Sequence, residues 1–261
     1  MAQERKKLLR GKSEFCRSLQ LSEEYTVSGF LCFGGWNTED QLMNLENTLK
    51  NENVSYEIKR MEGFLRGVHE LTINNKVYWF SVLYGGAMLS EYTHLACLFG
   101  SKKNIHIGSC GGLHPGSHSG DILLSSWSFG NESSTRLYEP DAVDHKHYSD
   151  SSLSASLKSR IGPSHKVLVG PIMTCQAMLA ETEEDVQEWS QAGYYGVEME
   201  TATIFAASNH FQVPSASAVY IGDNIIKGQV VGDTTYLEQK ELRESARNEL
   251  YRVAIQEIIT E

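Results

Sequence analysis

The sequence predicts a single α/β domain. Several short runs are too apolar to be half-exposed strands, they are interleaved with segments of helical spacing, and no Pro/Ser linker or internal repeat divides the 261 residues. A chain of this length can bury a substantial core.

The elements read in order. "SGFLCFGG" (28–35) is an apolar run that ends in two glycines, a buried strand feeding a tight turn. In "HELTINNKVYWFSVLYGG" Leu71 and Ile73 alternate, Asn74-Asn75 turns and Val77 to Leu83 returns, which predicts a hairpin. "AMLSEYTHLACLFG" has helical spacing and a glycine stop, and the strand "NIHIGSCGG" (104–112) follows it. A further helical stretch leads to the buried strand "HKVLVGPIM" (165–173). "TEEDVQEWSQAG" predicts a helix with acids in its first turn, where the helix dipole favours them, and a glycine past its end. After "YYGVEMETATIFAASNHF" comes the strand "SASAVYIGDN" (215–224). The tail predicts an amphipathic helix with Leu242, Ala246, Leu250, Val253 and Ile258 on one stripe. Residues 1–27 are expected to be an N-terminal extension and 28–261 the domain.

Composition narrows the function. The 23 basic and 33 acidic residues give a net charge of −10, which argues against a broad nucleic-acid-binding face but not against a local anion site. No run approaches a membrane span and the start has no apolar signal core, so a cytoplasmic location is expected. Five cysteines without a Cys-x-x-Cys pair fit free thiols in a reducing compartment. Asp144, His145 and His147 lack a second ligand cluster, so they predict a solvated loop and no metal.

Functional residues in such sheets collect outside the strand ends. Four strand ends here carry unusual residues: Gly34-Gly35, the "GSCGG" turn, Glu198/Glu200 and Asp223. Glycines let a ligand approach backbone N–H groups, although "GSCGG" alone fits a plain turn equally well. Glu198 and Glu200 head an apolar run, where a carboxylate is costly without a partner. At spacing i, i+2 they do not share a helix face, so they are expected to serve different tasks. One carboxylate can accept both hydroxyls of a vicinal diol, whereas an acid favoured by the helix dipole is the structural alternative for Glu198. Asp223 follows an apolar strand directly. It is either a desolvated general acid or a turn cap.

"NIHIGSCGGL", "GVEMETATIFA" and "VYIGDNIIKG", in this order and at these separations, resemble the nucleoside phosphorylase superfamily, which includes hexameric purine nucleoside phosphorylases, uridine phosphorylases and nucleosidases. "ESSTRLYEP" (132–140) is similar to a segment of its uridine-phosphorylase-like members. The resemblance implies a mixed, curved sheet flanked by helices, a homo-oligomer (a dimer or trimer of dimers) with sites near subunit contacts, and cleavage of a ribosyl N-glycosidic bond without cofactor or metal. Carried onto this chain, Glu200 holds the ribose diol, Met199 packs on the sugar and Ser109 lies by ribose and phosphate. Cys110, Gly111, Met178, Val197 and Glu198 line the base site, and Asp223 protonates a purine leaving group at N7.

The phosphate site departs from the family. "FGGWNTE" has neither the Asp-Pro nor the Arg of the usual Gly-Asp-Pro-x-Arg turn, and His106 stands where an Arg precedes the glycine strand end. Arg66 stands within a residue or two of an Arg that members lend to a neighbouring subunit. A phosphate set of Gly34, His106, Ser109 and Arg66 is therefore expected to hold inorganic phosphate weakly, and best below about pH 6.5, where an ordinary histidine is cationic. Three outcomes stay open: phosphorolysis with this substitute set, hydrolysis by water, and nucleoside binding with little turnover. Asp223 favours purines; a uridine reader's Gln/Arg pair is matched only by Gln176, with Met178 in the Arg position.

Overall fold

A computed structural model describes residues 11–229 and 231–260. Its ten-stranded sheet is mixed and closes on itself. β5 (Asn104–Gly112) pairs in parallel with β10 (Ser215–Asp223), which runs antiparallel to β6 (Ile122–Phe129). β6 lies parallel to β8 (Val167–Thr174), β8 to the short β9 (Gly196–Glu198), and β9 returns antiparallel to β5. β1 (Gly29–Gly34) and β4 (Lys76–Leu83) extend the sheet from β5 in parallel; β3 (Val68–Ile73) and β2 (Glu57–Arg60) finish it antiparallel. β7 (Lys146–Tyr148) adds to β6. Closure leaves few free edges and brings the ends of β1, β5, β9 and β10 to one mouth.

The predicted strands and hairpin form. Asn74 and Asn75 both take positive φ (50° and 60°), the turn whose twist matches a two-residue hairpin. Helices α1 (Lys12–Ser18), α2 (Thr38–Asn51), α3 (Gly86–Leu98), α4 (Ser133–Tyr138), α5 (Ser151–Arg160), α6 (Glu183–Gln191), α7 (Thr201–His210), α8 (Thr234–Glu238) and α9 (Lys240–Ile259) flank the sheet. In α6, Thr182 and Asp185 form a reciprocal capping box. Every residue of α7 from Thr201 to Ser208 is buried, as a helix apolar on all sides requires.

Two expectations need correction. In α9 the buried stripe begins at Arg243 and includes Tyr251, Ala254 and Ile255, while Leu242 is 55% exposed. The "DHKHY" segment is not a solvated loop throughout, because His147 is buried on β7 with Nδ1 bonded to Glu139 and Nε2 to the Gly130 carbonyl. The expected extension 1–27 lies partly outside the described residues. From Gly11 onward it packs on the core, with Cys16 and Val27 joining Phe30, Trp79 and Phe99 in one cluster. No helix among the described residues is long and apolar enough to cross a membrane.

Candidate active site

A cleft of about 430 Å³ opens where β1, β5, β9 and β10 end. Gly34, Ser109, Cys110, Gly111, Met178, Val197, Glu198, Met199, Glu200 and Asp223 all line it. His106 and Arg66 do not. His106 is buried behind the wall, and Arg66 is exposed after a 3-10 turn between β2 and β3.

Glu198 and Glu200 divide their tasks by position. Glu198 ends β9, and its Oε2 accepts the N–H groups of Glu200 (2.8 Å) and Thr201 (2.7 Å), while Oε1 accepts the Thr174 hydroxyl at 2.6 Å. These are the orphan donors at the start of α7, so this carboxylate closes the helix N-terminus. Glu200 occupies the N-cap position with φ −127°, and its side chain leaves the helix. Oε1 accepts the N–H of Gly85 at 2.5 Å, and Oε2 faces His106 Nε2 at 3.9 Å. Burial first, and then the charge of Glu198, push the Glu200 carboxyl upward.

Gly34 makes this approach feasible. A β-carbon there would stand 2.6 Å from Glu200 Oε2 and 2.7 Å from His106 Nε2, inside contact distance of both. The imidazole itself is held by Ser217, whose Oγ lies 2.9 Å from Nδ1; Nε2 has no hydrogen-bond partner. Burial lowers its pKa to about 3. Glu200 at 3.9 Å does not offset this, because a carboxyl that is itself pushed upward offers little negative charge. His106 is therefore neutral at pH 6.5, contrary to the expectation that it would gain charge there.

Asp223 ends β10 beyond a register shift between Ile221 and Asp223 against β5, and such a bulge re-aims a side chain. It is 8% exposed, and burial raises its pKa to about 6, a value suited to proton donation near neutrality. Arg243 pulls in the opposite direction. That guanidinium is buried, donates to the Tyr236 carbonyl at 2.6 Å and stacks 3.5 Å from the Tyr236 ring centre. The sequence held a signal for Arg243: it falls on the same helical stripe as Ala246 and Leu250.

Sequence reasoning also missed Gly85, Glu181, Tyr84 and Trp36. Trp36 and Tyr84 meet edge to face at 5.3 Å and rim the cleft. Gln176 points elsewhere, toward Thr203 Oγ1, and does not line the cleft. The lining holds five acids, Asp40, Glu181, Glu198, Glu200 and Asp223, and among the described residues no Lys, Arg or His. One His-and-acid group, His106, Glu198 and Glu200, has ligand atoms within 4.8 Å of one another. Glu198 already uses both oxygens on protein donors, so the set suits proton sharing better than a metal.

The closed mixed sheet, with Glu200 and Asp223 lining the cleft at its mouth, has its relatives among nucleoside-cleaving enzymes. Residues 44–260 match the model of the phosphorylase superfamily, and the chain belongs to that family. It is 23% identical over 249 residues to a purine nucleoside phosphorylase DeoD-type of Geobacillus kaustophilus, covering 93% of this chain and 89% of that one. It is 25% identical over 154 residues to a guanosine phosphorylase of Halorubrum lacusprofundi, covering 59% of this chain and 62% of that one. The uridine phosphorylase structure from Vibrio fischeri ES114 shares the fold, with a TM-score of 0.72 at 14% identity over 90% of this chain and 93% of that one. Family members of the phosphorylase type take inorganic phosphate as co-substrate and need no other cofactor.

Proposed function

We propose that this chain cleaves the N-glycosidic bond of purine ribonucleosides. The observation that carries this reading is the presence in one cleft of Asp223, with a pKa of about 6, and of a second acid, Glu200, anchored by Gly85. Glu200 and the Gly85 turn hold the ribose diol, and Met199 packs on the sugar. Cys110, Gly111, Val197 and Met178 take the base. Asp223 delivers its proton to the purine as the bond to the anomeric carbon lengthens, because a protonated purine leaves more easily. The developing oxocarbenium charge is stabilised by the acids around it. Glu198 is assigned to holding α7 in place rather than to the base. The guanosine and purine nucleoside phosphorylases among the relatives support the purine reading.

Two nucleophiles fit the reaction. Phosphorolysis needs cationic donors for a phosphate dianion, and these must come from outside the described lining, for example Arg66 of a second copy in a homo-oligomer. Hydrolysis is favoured by a lining that, among the described residues, offers a phosphate dianion no cation and offers water several polar partners. The test is base release from a nucleoside panel with and without phosphate, with the sugar product identified. Uracil release without any purine release would overturn the substrate class. Ribose 1-phosphate with tight phosphate saturation would select phosphorolysis, and ribose at the same rate without phosphate would select hydrolysis.

A further inference from the structure

Glu181 lines the same cleft, between the 3-10 turn Met178–Ala180 and the cap of α6. It is half-buried, and its carboxylate takes the thiol hydrogen of Cys175. No Lys or Arg pairs with it among the described residues. It shares the cleft lining with Asp223 and Tyr84, near enough that, beyond the effect of burial, the Asp223 charge pushes its carboxyl upward and its own charge raises the Tyr84 hydroxyl. The neighbouring wall is apolar, formed by Cys110, Val197, Ile225 and Val231. A carboxylate in such a place is costly until something donates to it, and one thiol is a weak donor.

We propose that Glu181 reads the edge of the base and selects a 6-oxo-2-aminopurine. This rests on the purine nucleoside reading above. Guanine presents N1–H and the 2-amino group side by side, two donors matched to the two oxygens of one carboxylate. Hypoxanthine offers only N1–H. Adenine turns the N1 lone pair toward the carboxylate and keeps a single donor on its 6-amino group. The preference should therefore run guanosine, inosine, adenosine. Asp223 works at the imidazole-ring side of the same base, so one acid protonates and the other discriminates.

The experiment measures affinity and turnover separately. Affinities for guanosine, inosine and adenosine are taken by calorimetry in an Asp223→Asn background, where cleavage is slow, with and without Glu181→Gln; kcat/KM is taken with Asp223 intact. The expected result is a guanosine preference over adenosine of about 10²-fold, collapsing to within a few-fold in Glu181→Gln, mostly through KM. Glu181→Asp should recover part of it. A guanosine-to-adenosine ratio near one, or a ratio untouched by Glu181→Gln, overturns the assignment and leaves the purine reading intact. Absence of binding by all three nucleosides, in a protein whose circular dichroism is unchanged, overturns both.

Discussion

Glu198 Oε2 accepts the backbone N–H of Glu200 at 2.8 Å, so one acid of the pair fixes the backbone from which the other reaches into the cleft. Its second oxygen is tied to Thr174, whose Oγ1 in turn accepts the N–H of Ala202 at 3.0 Å. Glu198→Gln keeps the shape but gives up the charge at the helix start and one acceptor. We expect a loss of about 1–3 kcal/mol in stability, the range for a buried bond to a charged group, read as a lower urea midpoint at unchanged slope. Unchanged stability would show that α7 does not depend on this cap.

Glu200→Gln addresses the sugar. Exchanging an acceptor oxygen for an amide donor should lower kcat/KM by about 1–3 kcal/mol equivalent on a ribonucleoside, the cost of leaving a buried hydroxyl without its partner. A 2′,3′-dideoxynucleoside should lose comparably with wild type and little further with the variant. Full additivity of the two changes would mean that the carboxylate does not touch the diol.

Asp223→Asn should separate activity from stability. Turnover is expected to fall by about 10²-fold or more, because the amide has no acidic proton to give. The pH dependence follows from the raised pKa of about 6: wild-type turnover should decline as pH rises through that value and the donor ionises. Stability runs the other way. Both states hold the proton at low pH; between the ordinary Asp value and about 6 the unfolded chain releases it first, so ionisation favours unfolding by at most about 3 kcal/mol at neutrality. The Asp223→Asn variant carries no such penalty, so its melting temperature should match wild type near about pH 4 and exceed it near about pH 7.5. A variant that is both inactive and less stable at neutral pH would point to a structural role.

Gly34→Ala tests the crowded wall. The added carbon meets the Glu200 carboxylate and the His106 ring together, so one must move. We expect kcat/KM to fall more than about tenfold, with retained circular dichroism. Wild-type kinetics would show that the Glu200 position at this wall does not matter to catalysis.

Much of this is legible in the sequence. Apolar runs ending in Gly34, Gly111 and Asp223 mark the strand ends, and strand ends are where the cleft lies. Asn74-Asn75 specifies its own turn. What stays hidden depends on long-range approach. The anchoring of Glu200 by Gly85 joins residues 115 apart in the chain. The burial that lowers His106 to about 3 belongs to the packed sheet rather than to "IHIGS". Glu181 reads like one more acid before a helix, because its exposure to the cleft comes from the turn at Met178–Ala180. Leu242 reads as core because periodicity gives the width of a stripe but not its centre.

The buried helix α7 has a further consequence. Glu200 caps an element whose first eight residues are all covered, so amide exchange there should require nearly global opening. Across the cleft, Val231 and Tyr236 line it from a segment in which Val231 is 71% exposed and Leu237 63% exposed, and the amides of that segment should exchange by local opening. A substrate therefore meets a rigid half and a yielding half. Altered sugars should be refused outright, whereas bulk added to the base face toward residues 231–237 should be tolerated, since only the yielding half must move.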